Sequence, residues 1–274
     1  MTALITTLWV LLGICFITWL LSVITKDTSW VDRIWSVIPL VYVWIFAGAV
    51  NFSDARLNVI AVLVTLWGAR LTFNFARKGG YQPGGEDYRW EVLRAGMSPA
   101  AYQVFNIFFI VIFQNLVLWL ITLPAWIVML NPGPFTGWDL LLSVLFFAFL
   151  VWETIADQQQ WNFHERKRNA IAAGMQPESN FCTTGLFSIS RHPNFFAEQS
   201  QWWTLFFFSV AATGSILQWV VVGPILLTSI FIGSTRFTES ISVSKYPEYV
   251  DYQQRVSPVV PWFPRKESAE PERA

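Results

Sequence analysis

Arg191, His192 and Pro193 stand immediately before a long apolar block and are followed by Asn194 and Glu198. Proline fits the first turn of a helix, so Pro193 begins one, and Asn194 and Glu198, four residues apart, share a face of its first turns. The free N–H groups and the dipole at such a helix start favour an anion, and Arg191 and His192 beside them suit a phosphate. Upstream, Asp157-Gln158-Gln159-Gln160 and His164-Glu165-Arg166-Lys167-Arg168 lead through a loop into this turn. An Arg-His-Pro alone would be mere interfacial charge; Asn194 and Glu198 in register with it favour a binding role.

A second group closes the chain: Arg236-Phe237-Thr238-Glu239, then Lys245-Tyr246-Pro247, Tyr249, Tyr252 and Arg255. Aromatic and basic side chains together could stack a purine and hold phosphates by charge-assisted hydrogen bonds. They also suit a basic segment lying on anionic lipid, and the two roles are compatible. A third group runs from Arg70 to Gly84-Gly85-Glu86-Asp87-Tyr88-Arg89-Trp90. Its glycines let a loop fold back on the membrane face, and Tyr81 and Tyr88 offer phenol donors beside carboxylates. The plainer alternative is an interfacial belt of Trp, Tyr and snorkelling Arg.

The elements that must position these groups are hydrophobic to an unusual degree. The chain is 54% hydrophobic and 13% charged, and its 24 Phe and 16 Trp exceed what a soluble core could hide. The apolar residues come in blocks long enough to span a bilayer, near 4–24, 30–50, 57–75, 105–130, 138–156, 195–212 and 217–233. The first block lacks a basic leader and a cleavage site, so it is expected to be retained. Basic residues gather between the third and fourth blocks, between the fifth and sixth, and after the seventh, while the loop after the second has only Arg56. That alternation predicts an all-α, polytopic bundle of seven transmembrane helices with the N-terminus outside and the C-terminus cytoplasmic. Residues 1–265 are expected to form one transmembrane domain and residues 266–274 a polar, disordered tail.

Ionisable residues in or beside such helices are costly unless paired or solvated, which marks Asp32, Arg33, Arg70, Glu153, Asp157, Glu198, Arg236 and Glu239. Pairing that merely holds the bundle together is the bland alternative for each. No Cys/His cluster has metal-ligand spacing, so no metal is expected, and Cys15 and Cys182 read as plain thiols. Glycine-rich nucleotide loops, GxSxG turns and internal repeats are missing, and no nucleic-acid partner is expected.

The stretch Gly185 to Glu198, with Arg236, Glu239, Lys245-Tyr246 and Tyr252, resembles the bacterial branch of the steroid 5α-reductase (3-oxo-5α-steroid 4-dehydrogenase) C-terminal-domain superfamily. A weaker likeness covers Trp30 to Trp35, Trp67 to Leu71 and Glu86 to Trp90. The resemblance implies a bundle that binds NADPH from the cytoplasmic side and delivers hydride to the activated C=C bond of a lipid-soluble enone. It implies that Asp157, Asn194 and Glu198 contact the cofactor, that Arg191 and Arg236 meet its phosphates, and that Lys245, Tyr246 and Tyr252 wall the adenine end. His164 and Arg166 fall where further phosphate-binding residues lie, His192 and Glu239 belong to the same cofactor set, and Arg70 matches an arginine near the nicotinamide.

The steroid reductases bind the enone oxygen through a Gln-Glu pair on the second helix and a Tyr on the third. The second block here has no such pair, and Trp67 stands at the tyrosine position, so Tyr88 or else Tyr81 is expected to supply the proton, with Arg70 beside the nicotinamide. Membrane methyltransferases of the isoprenylcysteine carboxyl methyltransferase type share the Arg-His-Pro turn and hold S-adenosylmethionine in a similar place. They carry two adjacent glutamates after the last helix, whereas Glu239 precedes Ser240, which favours NADPH. A transporter is disfavoured because the polar residues gather at one membrane face rather than at the midplane. The expected setting is a bacterial inner membrane, with membrane lipids and a lipid-soluble small molecule as partners; the sequence gives no oligomeric state.

Overall fold

The first apolar block folds as α1 (Thr2–Thr25), which ends at Lys26 in the left-handed conformation, φ 57°. The computed structural model describes residues 1–265, so the tail expected over 266–274 lies outside the described residues. Among them every regular element is helical. Five helical runs are long and apolar enough to cross a membrane: Thr2–Thr25, Ala55–Arg77, Pro99–Leu130, Gly137–Ala172 and Trp219–Lys245. Spans of this length and composition mark an integral membrane protein.

The second block divides into α2 (Trp30–Ile34) and α3 (Ile38–Ala49). Pro39 fits the division, because proline suits a first turn and, lacking an N–H, cannot continue a helix back to the Trp35 carbonyl. At 1.5 Å per residue α3 is about 18 Å long, short of a hydrocarbon core of about 30 Å. Asp54 caps α4 (Ala55–Arg77) through Leu57 N, Asp87 caps α5 (Tyr88–Ala95), and Ser98 caps α6 (Pro99–Phe105). The fourth block, expected as one helix, runs from α6 into a π-helical stretch, Asn106–Phe113, then α7 (Gln114–Leu120) and α8 (Leu123–Leu130). After it come α9 (Gly137–Ala172), α10 (Pro193–Thr213), α11 (Val222–Lys245) and α12 (Tyr249–Arg255).

Contacts divide the chain into two compact units, Met1–Phe147 with Gln201–Thr228, and Ala148–Ser200 with the chain from Ser229. In the first, α3 packs antiparallel on α4: Ser36 pairs with Thr72 at 2.7 Å, and Trp44 Nε1 donates to Thr65 Oγ1 at 2.9 Å. Gly68 permits the approach, since a Cβ there would lie 2.3 Å from the Ser36 carbonyl. Arg56 is buried and donates to both oxygens of Asp139, at 2.5 and 3.0 Å. The lone basic residue of its loop is thereby neutralised within the protein.

In the second unit, the turn before α10 is built from two sides. Gln159 on α9 accepts from Leu186 N at 2.9 Å, and its side chain fills the space where any Cβ at Gly185 (φ 64°) would go. The chain after α12 returns to the same turn: Arg191 N donates to Ser257 O (2.8 Å), Ser190 Oγ to Val259 O (2.6 Å) and Trp262 N to Ile189 O (2.9 Å).

Candidate functional site

Arg191 is the hub of the second unit. Its Nε donates to Glu239 Oε1 (2.6 Å), Nη2 to Glu239 Oε2 (2.9 Å), and Nη1 to the Gln253 carbonyl (2.9 Å) and to that of Val256. Four of the five N–H donors of a guanidinium are thus engaged inside the protein. Glu239 also receives Gln253 Nε2 at 2.8 Å and lies 3.1 Å from His192 Nε2. This bidentate pair joins the start of α10 to α11 and to the end of α12. Of the phosphate partners expected from the sequence, Arg191 is the one that spends its donors on the fold.

Asp157 and Asn194, expected at one cofactor, meet at 3.4 Å through Asn194 Nδ2 and Asp157 Oδ1. Asp157 is buried on α9, and Glu198 is buried one turn beyond Asn194 on α10. His192 stacks on Phe195. His164, Arg166, Arg236 and Lys245 are exposed. Tyr246 is half-buried, with the Lys167 ammonium 4.8 Å from its ring centroid and within 3.2 Å of its hydroxyl. Tyr252 is different: buried, stacked on Phe181, and donating to the Phe187 carbonyl at 2.5 Å. Burial pushes the Tyr249 and Tyr252 phenols above their ordinary range, so neither is a ready proton source.

The loop of the first unit has its own order. Glu86 Oε1 accepts from Thr28 N and Thr28 Oγ1, both at 2.8 Å, and from Arg94 at 2.5 Å, while Thr28 also pairs with the Tyr102 hydroxyl. Asp32 accepts from the Trp90 indole at 2.7 Å, and Arg33 is held by Asp27 at 2.7 Å. These contacts border a cleft of about 690 Å³ whose walls include Trp30, Arg33, Tyr81, Glu86 and Glu91. The Tyr81 hydroxyl donates to the Arg33 carbonyl at 3.0 Å. Tyr88, the first residue of α5, is 46% exposed, and Arg70 is half-buried on α4. Trp67 is wholly buried, edge-on to Trp202 at 4.8 Å.

Residues 18–256 match the model of a protein family of unknown function, DUF1295. The chain belongs to this family. It is also 42% identical over 262 residues to an uncharacterised protein of Schizosaccharomyces pombe, a match covering 90% of this chain and 75% of that one. No solved structure matches. The family match takes in both units, including the Arg191 hub and the Glu86 loop. Sequence reasoning missed Gln253, Thr28 and Tyr102, polar residues without a motif whose partners lie 14 to 74 positions away.

Proposed function

We propose that this protein is a membrane-embedded reductase that binds NADPH at the second unit and reduces the activated C=C bond of a lipid-soluble enone. The observation that carries the reading is the Asn194 to Asp157 hydrogen bond: two residues that the resemblance gives to one cofactor meet across 37 positions of chain, with Glu198 one turn further along α10. The resemblance of Gly185 to Glu198 to the steroid 5α-reductase superfamily supports the same reading. NADPH supplies the hydride. Exposed His164, Arg166 and Arg236 would hold its phosphates, Lys245 and Tyr246 would border the adenine, and the Arg191, His192 and Glu239 set would keep the turn in shape.

In this reading the whole second block, α2 together with α3, joins α10 to complete seven spans, with the N-terminus outside and the site facing the cytoplasm of a bacterial inner membrane. Hydride arriving at the β-carbon pushes charge onto the substrate oxygen, which needs a donor. For that donor the candidates are Tyr88, exposed next to Arg89, and in reserve Tyr81, whose hydroxyl is bound to a carbonyl; Arg70 is the arginine the resemblance assigns to the nicotinamide. The decisive measurement is titration of detergent-purified protein with NADPH and with S-adenosylmethionine. NADPH should bind, and Asn194→Ala should weaken it about tenfold or more while the melting temperature stays within a few degrees. Saturable binding of S-adenosylmethionine alone would identify a methyltransferase and overturn the reading.

A further inference from the structure

The first unit holds a polar seam that no role above uses. Along α1, Thr7 accepts from Trp119 Nε1 (3.0 Å), Thr18 from Asn115 Nδ2 (3.4 Å) and Ser22 from Asn106 Nδ2 (2.9 Å). Asn115 Nδ2 also reaches the Val111 carbonyl at 2.8 Å, and the Cys15 thiol lies 3.9 Å from that same oxygen. Asn106 and Asn115 are nine positions apart, about two and a half turns of an α-helix, which would set them on opposite faces. Both nonetheless reach α1, because the π-helical stretch Asn106–Phe113 lies between them and winds more slowly. Such stretches are uncommon and recur where a helix must aim particular side chains.

The seam is incompletely satisfied by protein. The side-chain oxygens of Asn115 and Asn106 accept no hydrogen bond, and the residues are 0% and 1% exposed. Tyr42 on α3 is 0% exposed, its hydroxyl also lacks a protein partner, and it lies close enough to Cys15 to interact electrostatically. Both α1 and α7 pack on α3. Cys15, Thr18 and Tyr42 fall well inside α1 and α3, away from their ends, where bulk water does not reach in a membrane-crossing bundle. Stranded donors and acceptors there bear the full desolvation penalty unless something polar meets them.

We propose that Tyr42 and Asn115 seat one neutral hydroxyl-type oxygen inside the membrane, donating to Asn115 Oδ1 and pairing with the Tyr42 phenol. Its surroundings, Thr18, Cys15 and the Val111 carbonyl, carry no formal charge, which suits an uncharged ligand and neither a cation nor a phosphate. Asn106 extends the seam toward Ser22. The oxygen is that of an internal water or of a membrane lipid's hydroxyl. The inference is independent of the reductase reading.

Tyr42→Phe deletes the phenol oxygen at nearly constant volume, and Asn115→Leu removes Oδ1 together with the Nδ2 bonds to Thr18 and Val111; both test the seat in the purified full chain. A filled seat predicts that each lowers the melting temperature by about 3 °C or more, and that the double variant loses less than the sum. Removing a stranded group should leave the melting temperature unchanged or raise it, so that result in Tyr42→Phe overturns the proposal, as does full additivity. Native mass spectrometry separates the sources. A bound lipid seen in the parent and missing from Tyr42→Phe identifies a lipid hydroxyl, whereas a deficit that persists after delipidation identifies water.

Discussion

Arg191 and Glu239 in the second unit are each 8% exposed, while in the loop of the first unit Arg94 and Arg89 keep 38% and 28% of their side chains accessible beside Glu86 and Asp87. The reach of the pairs differs as well. Arg191 meets Glu239 across 48 positions and adds carbonyls 62 and 65 positions away, whereas the loop pairs span eight and two. The same chemistry therefore does different work. Deep in the second unit it joins elements distant in sequence and is costly to break; at the exposed loop it sets local shape and leaves its charges within reach of a ligand.

The largest effect is expected from Glu239→Gln, which leaves the Arg191 charge buried without its counter-charge. A loss of about 3–5 kcal/mol, or roughly 10 °C in melting temperature, is expected from a scan of detergent-purified protein. A shift of less than 2 °C, roughly the effect of an exposed pair, would erase the contrast and return Arg191 to the pool of phosphate binders. Tyr252→Phe comes next. It strands the Phe187 carbonyl and should cost about 1–2 kcal/mol while leaving NADPH affinity unchanged, since the hydroxyl faces the fold. A fall in affinity without a fall in stability would place Tyr252 at the adenine after all. Arg94→Gln should cost no more than about 1 kcal/mol, and the deficit should shrink further in high salt. A salt-independent loss as large as that of Glu239→Gln would show that the loop is as rigidly built as the hub.

Much of this architecture was legible because it is local. Pro193 placed the start of α10, the apolar blocks placed the long helices, and Asn194 four residues before Glu198 placed both on one face. Other features depend on packing that no window contains. The break between α2 and α3 fits Pro39, but an unbroken apolar run hid it. Phe, Ile and Val in the 106–113 run read equally well as ordinary helix. Arg56 stood out as an exception to the loop charges until Asp139, 83 positions on, supplied its partner. Tyr42 was passed over because a tyrosine in an apolar helix is unremarkable until its hydroxyl is found to have no partner.

The return of the chain after α12 also bears on the order of synthesis. The turn that carries Arg191 is held by Ser257, Val259 and Trp262, which emerge from the ribosome more than sixty residues after it. At about 5–20 residues per second the turn must wait several seconds, already threaded into the membrane, before its last partners exist. The second unit is thus completed late, and synthesis of the segment after α12, rather than insertion of the helices, closes the turn that carries Arg191.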